Sequence, residues 1–194
     1  LIDLSEKHPE RTTEMEKKWE AWAIKATAKP WPWNRNKKNL GSKKKAFNLN
    51  ATSNLAKELS PMIAKKPFEV EVQIEKMGEG VLVAQGGDTH GWVLFVKDNV
   101  AHFALSLGGK IETVHANEKL TEKDGKILVK LNARGMVELL AGKRKLGSGK
   151  MSSLVKEMPI DGLQVGRDEG GTVGDYKDAF AFDGKIRKVR IKIN

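Results

Sequence analysis

The chain has 194 residues, 39% of them hydrophobic, which suits one sizeable core with an appendage. It contains no cysteine, which excludes disulfides, thiolate metal sites and a cysteine nucleophile. No apolar run approaches the roughly 18 residues of a membrane span, and the first residues show no signal-peptide pattern.

The formal net charge of +10 is concentrated in one short stretch. Residues 34–45 carry six basic groups and no acid, whereas the acidic and basic groups of residues 1–33 balance. No stacking aromatic residues are interleaved with these cations, so the composition favours a solvated linker over a groove that follows phosphates. We therefore expect no nucleic-acid partner.

The first segment predicts an amphipathic helix that ends before Pro30. Pro9 stands where a first helical turn tolerates proline, and Trp31-Pro32-Trp33 predicts an extended piece after the helix. One apolar stripe recurs at a spacing of three to four residues and consists of Met15, Trp19, Trp22 and Ala26. We expect this stripe to pack on a neighbouring domain.

From Phe47 onward the hydrophobic pattern changes to the period of two that is typical of strands, most clearly over Phe68–Glu75. Asp98-Asn99 predicts a two-residue type I′ hairpin, because both residue types tolerate a positive φ. Many short strands without a helical period between them indicate an all-β, antiparallel sandwich. The further predicted strands are Val81–Ala84, Trp92–Lys97, Val100–Leu107, Ile111–His115, Lys126–Ala133, Met136–Ala141, Leu163–Gly166 and Lys185–Ile193.

The last third of the chain has two β-type runs, Leu163–Val165 and Ile186–Ile193, which we interpret as a closing strand pair. Between them lies a loop rich in Gly and Asp. The candidate calcium ligands are Asp161, just before the first run, and Asp168, Asp175 and Asp183 in the loop. Asp and Gly are also the residues that turns require, and we favour that interpretation.

Aromatic residues near this loop are the candidates for a sugar-binding platform. Tyr176, the one tyrosine of the chain, is the weak candidate that remains. Trp92 begins a strand and is expected in the core, and Phe180 and Phe182 are expected to face inward together. The aromatic residues therefore do not indicate a dedicated lectin-like face.

No motif for catalysis or metal binding emerges from the rest of the chain. His102 and His115 fall in predicted strands and lack the spacing of zinc ligands, so we expect ordinary surface or core-edge residues. No Glu-x-Asp-x-x-Glu strand motif of a glycosidase is present. We expect no catalytic residue, no metal site and no cofactor in this segment.

Several motifs together resemble the C-terminal region of bacterial arylsulfatases. Leu1–Arg11 and Trp19–Ala23 are similar to the end of the sulfatase catalytic domain. The later motifs are similar to its concanavalin A-like, or laminin-G-like, C-terminal domain and comprise Pro67–Ile74, Gly80–Gly87, Gly91–Lys97, Leu163–Asp168, Gly171–Val173 and Phe180–Ile186.

This resemblance implies a concanavalin A-like (jelly-roll) β-sandwich preceded by an N-terminal α-helix and a basic linker. The implied domains are residues 1–33 as the end of the catalytic domain, 34–45 as the linker and 46–194 as the sandwich. Because the first residue is Leu1, we expect the rest of the catalytic domain to lie upstream. The resemblance also implies calcium in that missing domain and a periplasmic or extracellular location.

The function implied by the resemblance is that of a non-catalytic accessory domain of an arylsulfatase. It would pack on the catalytic domain and contact a sulfated polysaccharide. Sulfatases convert the Cys or Ser of a Cys/Ser-x-Pro motif to formylglycine, and no proline here has either residue two positions before it. The alternatives are a self-standing module that binds carbohydrate or protein and, less favoured, an independent glycosidase.

Overall fold

The computed structural model describes residues 5–25 and 41–194, which belong to two separate units. The first unit contains helix α1, Pro9–Lys25, which confirms the predicted helix and its proline in the first turn. Met15 and Trp22 on its apolar stripe are 63% and 60% exposed. Trp31-Pro32-Trp33 and residues 34–40 of the predicted linker lie outside the described residues.

The second unit is built from twelve strands, and a short 3₁₀ turn at Lys57–Leu59 follows the second of them. The strands are β1 Ala46–Leu49, β2 Asn54–Leu55, β3 Phe68–Lys76, β4 Gly80–Gly86, β5 His90–Lys97, β6 Val100–Leu107, β7 Lys110–His115, β8 Lys126–Leu131, β9 Met136–Ala141, β10 Arg144–Lys150, β11 Leu163–Val165 and β12 Lys185–Ile193.

These strands form two six-stranded antiparallel sheets. Sheet I has the order β1-β12-β3-β8-β9-β10, and sheet II has the order β2-β11-β4-β5-β6-β7. The architecture confirms the predicted all-β sandwich with a helix before it. Among the described residues, no helix has the length and apolar character needed to cross a membrane.

The main core lies between the two sheets. Strand alternation directs Phe68, Val70 and Val72 of β3 inward, and each is at most 1% exposed. Phe68 meets Trp92 and Phe103 of sheet II, with ring centroids 5.2 and 6.2 Å away. Burial of three large rings at one point contributes strongly to the hydrophobic free energy that holds the sheets together.

The indole N–H of Trp92 keeps its hydrogen bond inside this core. Trp92 Nε1 donates to Gln85 Oε1 at 3.2 Å, and Gln85 Nε2 donates to the carbonyl oxygen of Pro61 at 2.8 Å. Buried polar atoms need such partners because an unpaired one loses its hydration without compensation. The expected core position of Trp92 is therefore confirmed.

The predicted hairpin agrees with the structure, whereas the end of one predicted strand differs. Asp98 and Asn99 both have positive φ, 55° and 62°, as a type I′ hairpin requires. Strand β8 ends at Leu131, two residues before its predicted end. The Oδ1 of Asn132 accepts hydrogen bonds from the backbone N–H groups of Arg134 and Met136, which starts a turn there.

Two predictions about the last third of the chain were wrong. Strands β11 and β12 do not pair with each other, because β11 joins sheet II beside β4 and β12 joins sheet I beside β3. Phe180 and Phe182 do not face inward together. Phe182 packs against the main core, whereas Phe180 packs against a second cluster on the outer side of sheet II.

We expect Phe103→Ala to lower the free energy of unfolding by about 3–5 kcal/mol, because it leaves a cavity among the three core rings. Met136→Ala is the control, since Met136 is 38% exposed and its loss should change stability by less than about 1 kcal/mol. Urea denaturation of both variants provides the measurement. Equal effects would contradict the central place of the aromatic contact.

Candidate functional site

The outer face of sheet II is largely covered by the protein's own chain. Val81, Val93 and Phe95 project to this outer side, yet each is at most 3% exposed. The segment 166–184, here called the covering loop, lies over them and buries Val173 completely. This face is therefore closed to a ligand where the loop packs.

The covering loop approaches the sheet closely and contributes aromatic side chains. The rings of Tyr176 and Phe180 lie edge-on to Phe95, with centroids 5.1 and 6.3 Å away. At Gly91 of β5 an added Cβ would lie 2.8 Å from Val173 Cγ2, so only glycine permits this approach. The loop and the sheet thus form a second, small core.

A buried carboxylate holds the covering loop in its fold. Asp168 is 2% exposed, and its Oδ2 accepts hydrogen bonds from the Tyr176 hydroxyl and from the Val173 N–H, the latter at 2.8 Å. Its own N–H donates to the carbonyl oxygen of Ala179 at 2.9 Å. Tyr176, the sequence candidate for sugar binding, is thereby engaged in holding the loop.

The buried position changes the acid–base properties of both partners. Burial raises the pKa of Asp168, although the hydrogen bonds from Tyr176 and Val173 act in the opposite direction. Burial and the neighbouring negative charge of Asp168 raise the pKa of Tyr176 far above its usual value. The tyrosine therefore remains a proton donor to Asp168 at any ordinary pH.

The other three calcium candidates do not share the contacts of Asp168. Asp183 Oδ1 accepts a hydrogen bond from the Glu79 N–H at 2.6 Å, which ties the covering loop to the start of β4. Asp175 is exposed, and Asp161 lines a separate cleft beside Gly87. Within residues 5–25 and 41–194, no three His, Asp or Glu side chains are arranged to hold a metal ion.

His102 of β6 and His115 of β7 stand opposite each other at the edge of sheet II. The His102 ring stacks on Phe95 with a centroid distance of 4.8 Å, and the two imidazoles lie 5.9 Å apart. Burial, and then the charge of His115, lower the pKa of His102. These are the core-edge positions that the sequence predicts.

The outer face of sheet I, here called the open face, bears no covering loop among the described residues. The register places rows of side chains across it, because residues of paired strands stand directly opposite each other. One row runs from Lys192 through Glu69 and Lys130 to Glu138. The parallel row runs through Arg190, Glu71, Leu128 and Leu140.

Two grooves cross the open face, and Glu69 lines both. The larger groove has a volume of 560 Å³ and crosses the ends of β3, β8, β9 and β10. The smaller groove has a volume of 300 Å³ and lies between β1 and β8. The polar residues that line the larger groove are Glu69, Lys130, Asn132, Glu138, Lys145, Ser148 and Asn194.

Glu71 is the most strongly paired acid on the open face. Its carboxylate lies 3.2 Å from Lys126 Nζ and 3.8 Å from Arg190 Nη1, and Gln73 donates a hydrogen bond to it at 3.1 Å. Partial burial acts to raise the pKa of Glu71, but these donors and positive charges together hold it below the usual value. The acid remains ionised and its charge is largely neutralised locally.

The residues of the open face were missed by the sequence analysis. The alternation over Phe68–Glu75 identifies Glu69 and Glu71 as outward, but it does not identify the strands beside them. Pairing of β3 with both β8 and β12 brings Lys130 and Lys192 to either side of Glu69. That pairing joins residues far apart in the chain, so no local motif could have revealed it.

Comparison with known proteins shows the fold. No family model matches the chain, and no curated protein matches it. The CBM40 of a Ruminococcus gnavus IT-sialidase is similar in structure, with a TM-score of 0.53 and 12% identity over 77% of this chain and 90% of that one. The same CBM40 bound to α2,6-sialyllactose gives a TM-score of 0.52.

A sialidase provides the second comparison. The NanB sialidase from Streptococcus pneumoniae has a TM-score of 0.55 and 10% identity over 75% of this chain and 26% of that chain. At these identities the likeness shows a shared β-sandwich fold. The arylsulfatase resemblance of the sequence is not tested by these findings and stays a prediction.

The buried carboxylate generates a pH-dependent prediction for Asp168→Asn. A pKa raised in the folded state gives stability that is complete below the unfolded pKa of about 3.9 and is lost as the pH rises through the folded pKa. The free energy of unfolding of the wild type, relative to Asp168→Asn, should therefore fall as the pH rises above about 4. Urea denaturation between pH 4 and 7 measures it.

The matched control is Asp178→Asn, in the same loop. Asp178 is exposed, and its φ of 54° is a conformation that Asn also tolerates. The control should not reproduce the trend of Asp168→Asn. A wild type that gains stability relative to Asp168→Asn as the pH rises would refute the raised pKa.

Proposed function

We propose that the sandwich is a non-catalytic carbohydrate-binding module that takes its ligand on the open face of sheet I. The observation that carries this proposal is the contrast between the two outer faces. Sheet II is covered by the protein's own loop, whereas sheet I presents two grooves lined by polar side chains. Ligand sites are typically such concave surfaces with a few convergent polar groups.

The side chains of the open face suit hydroxyl-rich ligands. Carboxylates such as Glu138 accept hydrogen bonds from hydroxyl groups, and ammonium groups such as Lys130 donate to ring and hydroxyl oxygens. Leu128, Leu140 and Met136 supply apolar contacts for the C–H groups of a sugar ring. No aromatic side chain of the described residues stands on this face, so recognition depends on polar groups rather than on stacking.

The shared fold supports a glycan ligand. The CBM40 of the Ruminococcus gnavus enzyme shares the β-sandwich fold and is bound to α2,6-sialyllactose in one of the structures named above. Fold alone does not determine a ligand, so the proposal depends on the open face of this chain. The sequence contains no formylglycine motif and no cysteine, which agrees with a non-catalytic role.

The resemblance to arylsulfatases supports a more specific proposal, that the module belongs to a sulfatase. In this proposal Leu1–Arg11 and α1 are the end of the catalytic domain, and the sandwich holds a sulfated polysaccharide near it. The periplasmic or extracellular location is part of the same proposal. A self-standing lectin-like module that binds carbohydrate or protein is the alternative.

The upstream coding sequence separates these two proposals. A Cys/Ser-x-Pro-x-x-Arg motif there, which sulfatases convert to formylglycine, would support the sulfatase. A coding sequence that lacks it would leave the self-standing module. This observation does not affect the proposal that the open face binds glycan.

A double variant of the larger groove tests the binding face. We expect Lys130→Ala with Glu138→Ala to weaken binding about tenfold to any glycan that the wild-type chain binds on a glycan array. Both side chains are exposed on the open face, so the fold should be retained. Affinity electrophoresis of the full chain measures the change.

The matched control is Lys123→Ala with Glu122→Ala, which removes the same two charges from an exposed loop outside the open face. The control should bind as the wild type does. If both double variants bind alike, the larger groove is not the site. If the wild-type chain binds no glycan on the array, the proposed function itself fails.

The chain alone is expected not to hydrolyse sulfate esters. It has no cysteine, and no serine stands two residues before a proline, so no formylglycine can form in the required motif. Release of 4-nitrophenol from 4-nitrophenyl sulfate, with an active sulfatase as positive control, measures this. Turnover above the buffer rate would contradict the non-catalytic assignment.

A further inference from the structure

Strand β12 carries three cations on the open face, of which two are exposed and one, Lys188, is half-buried. Val189 and Ile191 of this strand point into the core, so the residues between and beside them point outward. The outward residues are Lys188, Arg190 and Lys192, here called the cationic row. Alternate residues of a strand are roughly 6.7 Å apart, which gives three regularly spaced positive charges.

The neighbours of the cationic row on one side are small. Strand β1 pairs with β12 at the edge of sheet I and sets Asn48 opposite Arg190 and Ala46 opposite Lys192. Phe47 of β1, its largest side chain, points into the core. The heads of Arg190 and Lys192 are therefore accessible from the edge of the sheet, along the smaller groove that they line.

The neighbours on the other side leave most of this positive charge uncompensated. Glu71 stands opposite Arg190, but it lies closer to Lys126 than to Arg190, at 3.2 against 3.8 Å. Arg190 keeps further N–H donors free, because a guanidinium carries five. No carboxylate of the described residues lies within 4.0 Å of the ammonium groups of Lys188 or Lys192.

The residues before β1 extend the positive charge. Lys43, Lys44 and Lys45 are all exposed. The carbonyl oxygen of Lys45 accepts a hydrogen bond from the Ile193 N–H at 2.8 Å, which places this segment beside the end of the row. These three lysines add positive charge near the end of the row. Glu69, which is in register with Lys192, has no cation within 4.0 Å among the described residues.

We propose that the cationic row is a subsite for the anionic groups, sulfate or carboxylate, of a glycan that lies on the open face. This inference rests on the proposed function and adds to it the residues that bind the anionic groups of the ligand. Guanidinium and ammonium groups bind such oxyanions through charge-assisted hydrogen bonds. The smaller groove leads from the row to Glu69, which also lines the larger groove, so one chain can contact both.

Dextran, carboxymethyl dextran and dextran sulfate are the probes, because they share one backbone and differ in charge. Affinity electrophoresis of the full chain should show retardation by the two anionic dextrans well above that by dextran. Because exposed charges are screened by salt, the retardation should decline between 0.05 and 0.5 M NaCl, concentrations that span a threefold change in Debye length of about 14 to 4 Å. The relative strength of the two anionic probes distinguishes sulfate from carboxylate.

The decisive variant combines Lys188→Gln, Arg190→Gln and Lys192→Gln. We expect about tenfold weaker binding to the preferred anionic dextran, since each exposed charge contributes modestly. The control combines Lys119→Gln, Lys123→Gln and Lys156→Gln, which removes three exposed charges from loops outside the row. Equal weakening by both triple variants would show that only net charge matters and would overturn the inference.

A single variant is expected to strengthen binding, the opposite of the effect of the triple variant. Glu69→Gln removes the acid beside Lys192, so binding to the anionic dextran should become about twofold to fivefold tighter. This variant keeps the size of the side chain and removes no core contact, so a folding defect is not expected. Unchanged or weaker binding would contradict the role of the row.

A nucleic acid is the remaining polyanion to exclude. Single-stranded DNA that binds as tightly as dextran sulfate, and loses as much affinity in the row variant, would show a general polyanion surface and overturn the glycan subsite. Failure of the row variant alone leaves the carbohydrate-binding proposal intact. Failure of the wild type to bind any glycan, charged or neutral, overturns both.

Discussion

The contact of Phe68, Trp92 and Phe103 between the sheets determines which side chains of β3 point outward. Strand residues alternate between two faces, so fixing these rings inward directs Glu69 and Glu71 of β3 outward. A slip of one residue in β3 would bury its acids, which is prohibitively unfavourable without partners. The composition of the open face is thus a consequence of core packing.

One outer face is covered and the other is open, and a buried carboxylate is responsible for this difference. Asp168 holds the covering loop through Tyr176 and Val173, and this loop closes sheet II. Sheet I keeps its polar rows in solvent. Asp168, a calcium candidate in the sequence, therefore stabilises the covering loop. The open face of sheet I carries no motif that the sequence analysis had identified.

The sequence predicted the parts of this fold that depend on local pattern. The alternation of hydrophobic and polar residues predicted β3, and two residue types that tolerate a positive φ predicted the hairpin at Asp98-Asn99. Strand β10 was missed, because the small residues of Gly147–Gly149 show no hydrophobic alternation. The open face could not be predicted, since it depends on which strands pair with β3. That choice is made by contacts between residues distant in the chain.

The pairing of β1 with β12 has a mechanical consequence. The chain enters the sandwich through β1, and the four residue pairs from Ala46↔Lys192 to Leu49↔Val189 join it to the strand that bears the cationic row. A pull between Ser42 and Lys185, which lie at opposite ends of this antiparallel pair, stretches the hydrogen bonds of the two strands in shear. Bonds loaded this way share the force and break together instead of opening one at a time.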